Sequence, residues 1–110
     1  MAQRLPLEPS VPSYRFSTTL DGTQHVFDVH WNGRDGAWYF DVLTTDGEII
    51  RAGVKVVLGA WLGRHSVDPR YPLGVLVADD QSGERRDAGL DDLGARVIVQ
   101  FLTFGEVAAL

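Results

Sequence analysis

Cysteine is absent from this 110-residue chain, which excludes disulfide frameworks, thiolate metal sites and thiol nucleophiles together. Stability must come from packing and association. Long apolar runs are also missing: nothing approaches the roughly 18 residues that cross a bilayer as a helix, and MAQRLPLEPS lacks the apolar core of a signal peptide. The expectation is a protein made in the cytoplasm with no membrane partner. Positive charge is scarce and dispersed. Ten Lys and Arg face fifteen Asp and Glu, and they are scattered from Arg4 to Arg96. Phosphate recognition needs clustered cations, so no specific nucleic-acid partner is expected. The tight pair Arg85-Arg86 sits in QSGERRD, where acidic neighbours offset it. There is no P-loop pattern, and the glycines fall where turns need them.

What is present is strand-forming sequence. The length suits one domain that buries about two thirds of the surface its unfolded chain exposes. Residues 1–13 carry Pro6, Pro9 and Pro12 and read as an extended arm, because proline lacks a donor and biases its predecessor toward extended geometry. Tyr14 to Leu20 alternates, and Asp21-Gly22 supplies the tight turn into Thr23 to Trp31. Ala37 to Thr44 is a third strand, closed by Thr45-Asp46-Gly47 and returned by Glu48 to Arg51. VKVVLGAWLG, Val54 to Gly63, fits a strand buried on both faces that bends at Gly59. Gly74 to Asp79 and Ala95 to Phe104 complete an all-β reading: a small antiparallel barrel or sandwich of six to seven short strands over 14–104, with a tail at 105–110.

The stretch HWNGRDGAWYFDV sets a register. If Trp31 faces Trp38, then Val29 faces Phe40 and Phe27 faces Val42, and one face collects every large apolar group of both strands. These six residues, with Val97, Val99 and Phe101 of the last strand, form the expected core. The other reading of the tryptophans, a stacking platform for sugars or bases, requires rings that face water. The same register sets Asp28 across from Asp41, an unfavourable like-charge pair. A bulge, a basic side chain such as Arg15 or Arg51, or a bound cation would each resolve it; no ligand cluster at metal spacing surrounds the pair.

Enzyme signals are weak. His65, Ser66 and Asp68 have the composition of a catalytic triad, but such a triad is assembled from separate elements, whereas neighbours on one loop project apart. His25 and His30 are five apart on one strand and point to opposite faces. Neither a metal nor an organic cofactor is expected. A second apolar set remains to be covered, by the 59–73 connection, by the terminal segments or by another subunit. Candidate interface residues are Leu5, Leu7, Val26, Leu43, Trp61, Leu62, Ile98, Leu102 and Leu110.

The order of motifs resembles the small baseplate plug proteins of contractile-tailed phages. The resemblance is carried by an N-terminal Pro-Leu and extended arm, FSTTLDGTQHVFDVHWNGRDGAWYFDVLTTDGE, the V-x-V-V-x-G segment at Val54 to Gly59, Pro72-Leu73-Gly74, and L-G-x-R-V at Leu93 to Val97. Trp61-Leu62 stands where that family has a leucine pair. The resemblance implies a structural, non-enzymatic virion protein near the tail axis. Its partners would be tail tube and central spike or hub components, with a homo-oligomeric ring in the assembly. The competing class is a β-module that binds glycan or nucleic acid through exposed tryptophans.

Overall fold

The computed structural model describes residues 3–63, 70–72, 74–84 and 86–104. Seven strands are named in chain order: β1 (Gln3–Arg4), β2 (Ser13–Leu20), β3 (Thr23–Asn32), β4 (Ala37–Leu43), β5 (Ile49–Lys55), β6 (Gly74–Asp80) and β7 (Val97–Thr103). They form two antiparallel sheets, β2-β3-β4-β5 and β1-β7-β6. The fold is all-β and sandwich-like, which decides between the two expected architectures.

Local sequence explains the first sheet. Asp21 and Gly22 have φ of 50° and 81°, the paired left-handed positions of a two-residue hairpin, and they join β2 to β3 without disturbing the alternation. The β3–β4 register is Trp31 to Trp38, Val29 to Phe40, Phe27 to Val42 and Asp28 to Asp41. Asn32 holds the turn between them: its side-chain oxygen accepts from the Arg34 and Asp35 amides at 3.1 and 3.2 Å.

Of the three possible resolutions of the Asp28–Asp41 pair, a basic side chain operates, and β3 and β4 stay in register with no bulge between them. Arg15 forks onto Asp28 with two hydrogen bonds of 2.7 Å. Asp41 instead accepts the Gly53 amide at 2.8 Å, where β5 carries an extra residue opposite Asp41 between Phe40 and Val42.

A second slip, between Val42 and Leu43, tucks Ile50 inward and leaves Ile49 exposed. These bulges make one strand of what reads in sequence as two, Glu48 to Arg51 and the start of Val54 to Gly63. Beyond Lys55 the chain is not a strand buried on both faces. It passes from one sheet to the other: the Val56 amide donates to Trp38 O, the Gly59 amide to Ala78 O and the Leu62 amide to Leu76 O, at 2.9, 3.1 and 2.8 Å. The expected bend at Gly59 is present, with φ of 71°.

The N-terminal arm is the main departure from expectation. Its residues 3–4 form β1 on the edge of β7, and the Leu5 amide continues the pairing to Val99 O at 2.9 Å. Leu5 is therefore core, in a slot with Phe16, Phe27, Val99 and Leu93. Gln3 Nε2 reaches Thr19 O at 2.9 Å, so the arm laces the two sheets together at the edge opposite the 56–62 crossing. The prolines follow this docked stretch or end it, so they cost the sheet no hydrogen bond.

Candidate functional site

The two sheets bury the same kind of inner face and present different outer faces. On the first sheet the outward positions include Arg15, Asp28, His30, Tyr39, Asp41 and Lys55, most of them in polar or ring pairs, together with Val26 and, across from Leu43, the exposed Ile49. Beyond the Arg15–Asp28 fork, His30 stacks on Tyr39 at 6.2 Å and 11°. The Tyr39 hydroxyl donates to Asp35, which also pairs with Lys55 Nζ at 3.2 Å. The Tyr39 hydrogen bond and then the Lys55 ammonium hold the Asp35 carboxyl below the usual range. On the second sheet, Val75 lies across from Leu102, Val77 from Gln100 and Asp79 from Ile98. That face mixes Val77 and Leu102 with Gln100 and Asp79, and it continues onto Trp61, which bridges to Val77, and Phe104, whose ring meets Trp61 edge-on at 6.2 Å. Trp61 and Phe104 are 38% and 52% exposed. Leu58, Val77, Gln100 and Leu102 line an open groove of about 790 Å³ beside them.

Of the nine residues named as core, eight are buried and Trp31 is half-buried against Trp38, with ring centres 5.5 Å apart. Trp38 is 1% exposed and its indole N–H donates to Gly89 O at 2.9 Å, so it offers no face to a ligand. Of the nine interface candidates, Leu7, Val26, Trp61 and Leu102 retain surface. Leu5, Leu43, Leu62 and Ile98 do not. Leu5 follows β1 into the core. Leu43 sits at the second β5 slip, beside the turn closed by Thr44 N–H to Glu48 O. Leu62 is pinned through its amide to Leu76 and its carbonyl, which accepts from the Tyr71 hydroxyl at 3.0 Å. Ile98 is 3% exposed, across from Asp79. Leu110, His65, Ser66 and Asp68 lie outside the described residues. Phe104 and Ile49 are exposed and went unnamed as interface candidates; continuing the outward alternation Ile98, Gln100, Leu102 would have found Phe104.

One buried ionic node stands at the end of the second sheet. Arg96 donates to Asp80, to Asp92 Oδ2 at 3.0 Å and to the Arg86 and Asp87 carbonyls at 3.0 and 3.1 Å. Burial pushes the Asp80 carboxyl up, but hydrogen bonds from Ser82 and the Arg86 amide, with the Arg96 charge, bring it down to about 2. The Arg96 hydrogen bond, and then the Gly89 amide, likewise lower Asp92. His25 is buried, with both ring nitrogens 3.1 Å from carbonyl oxygens, of Thr23 and Arg70. Among the described residues no group of three or more His, Asp or Glu is placed to hold a metal.

The described residues thus form an all-β sandwich that ties many of its polar groups in structural pairs and exposes the aromatic pair Trp61 and Phe104. The family model described as cyanophage baseplate Pam3 plug gp18 matches residues 2–105. The chain belongs to that phage baseplate plug family, whose members are structural components of the virion baseplate. No curated protein matches it.

Proposed function

We propose that this chain is a non-enzymatic part of a contractile tail, seated near the axis where the tube meets the central spike or hub. It contacts those neighbours through the outer face of β6 and β7. The observation that carries the reading, within a member of a baseplate family, is the exposed aromatic pair Trp61 and Phe104 beside Leu102 and Val77, while much of the other outer face is held in its own pairs, Arg15–Asp28 and Lys55–Asp35. Protein interfaces draw on exposed aromatics of this kind. The acidic balance of the chain suits a part beside the path of exiting DNA, because like charge discourages adhesion.

The test is assembly. The double variant Trp61→Asp, Phe104→Asp should remain folded, since both rings are partly in water, yet be missing from purified particles assembled in its presence. Normal incorporation of the variant would move the interface elsewhere on the molecule.

A further inference from the structure

The arm and the segment 86–94, here called the strap, meet at several points. Ser10 Oγ donates to Asp91 Oδ1 at 2.7 Å, and Arg4 donates to Gly94 O. Gly94 has φ of 90°, and a Cβ there would lie 2.7 Å from Leu7 O, so the arm backbone rests directly on it. Leu5 and Leu7 enter the same slot as Leu93, between Phe16, Phe27, Val29, Phe40, Val56 and Val99. Together they cover that slot from one side.

The strap is fastened to the rest of the molecule mainly by polar groups. Three acceptors on it converge on the single guanidinium of Arg96, just ahead of β7: the Arg86 and Asp87 carbonyls and the Asp92 carboxylate. Trp38 Nε1–H holds Gly89 O, and the Leu58 amide holds Asp87 Oδ1 at 3.0 Å. Ala88 and Leu93 are its only buried apolar side chains. The Arg96 Nε is buried without a hydrogen bond and has only the longer ion pair with Glu84 Oε2 at 3.5 Å, so the hub is held less tightly on that side. Segments held by few apolar contacts open at lower free energy than strands inside a sheet.

We propose that arm and strap form one hinged cover latched by Arg96, which opens as a unit and bares the apolar slot while both sheets stay intact. Arg96 is a positioning residue for that cover. An opening of this kind gives the chain a second state with fresh apolar surface, distinct from the permanently exposed face of β6 and β7.

Hydrogen exchange of the isolated full chain, followed by NMR, reads this without any assembly assay. Three protons suffice: the Trp38 indole N–H for the strap, the Leu5 amide for the arm, and the Phe27 amide for the sheet. The first two should exchange with a common opening free energy, at least about 100-fold faster than Phe27. Arg96→Lys keeps the charge but cannot serve four acceptors. It should accelerate both by about tenfold or more and leave Phe27 within about threefold. Ser10→Ala, a surface change that leaves the fold alone, should also accelerate both together. The proposal is overturned if the Trp38 indole exchanges only with Phe27, if Leu5 and Trp38 open independently, or if Ser10→Ala affects the arm alone.

Discussion

At the scale of single residues, the account rests most on Trp38. Its ring packs against Trp31 and Tyr14, and its indole N–H satisfies a loop carbonyl. Trp38→Ala should therefore lower unfolding stability by ~3–5 kcal/mol in urea titrations; an unchanged midpoint would mean the ring is not in the core. Asp28→Asn should cost at most about 1 kcal/mol, because the Arg15–Asp28 pair is well exposed and such pairs contribute little. A large loss restored by calcium would instead place a cation there. Gly74→Ala should destabilise despite its small size, since the new Cβ would meet Leu102 O at 2.3 Å. The facing of Trp31 and Trp38 was legible because period-two alternation on both sides of a short turn admits one register that gathers the apolar groups. The indole's partner was not legible: Gly89 lies 51 residues away, in a loop whose sequence carries no periodic signal.

Elements behave differently according to whether they alternate. β2, β3, β4, β6 and β7 have apolar residues at every second position and were found in sequence within a few residues of their ends. β5 was split in two because its bulges break the period, and β1 was missed because two residues cannot show one. The arm reads as extended with no strand of its own, since proline excludes a central strand, but Gln3 and Arg4 precede the first proline and pair at an edge. Leu5→Ala should accordingly cost about 2–4 kcal/mol, measurable as a lower melting temperature of the isolated chain, and deleting residues 2–12 should cost more. Unaltered melting after that deletion would mean the arm is undocked in solution. The strap has its own pH signature. Asp80 and Asp92 titrate below their ordinary range when folded, so their contribution is complete above pH ~4 and is lost as pH falls toward 2. Exchange of the Trp38 indole should be flat with respect to opening from pH ~5 to 7 and the strap should loosen below pH ~4; loosening near pH 6 would point to another group.

At the scale of the whole molecule, the sandwich exposes the aromatic pair Trp61 and Phe104 beside β6 and β7, which is the surface proposed above to be covered. The family match over residues 2–105 makes the chain a baseplate protein. Sequence alone could supply the surplus of apolar residues but not their sorting. Leu5, Leu43, Leu62 and Ile98 look like Leu102 in sequence yet are buried, Leu5 by the path of the arm, Leu43 at the β5 slips and Leu62 in the crossing between the sheets. The most direct test is an electron cryo-microscopy map of the virion's tail end, resolved well enough to trace side chains. It should show this sandwich at the axis between tube and spike, with Trp61 and Phe104 buried against a neighbouring subunit. A baseplate without the chain, or one in which that aromatic pair faces solvent while the Arg15–Asp28 face is covered, would contradict the account.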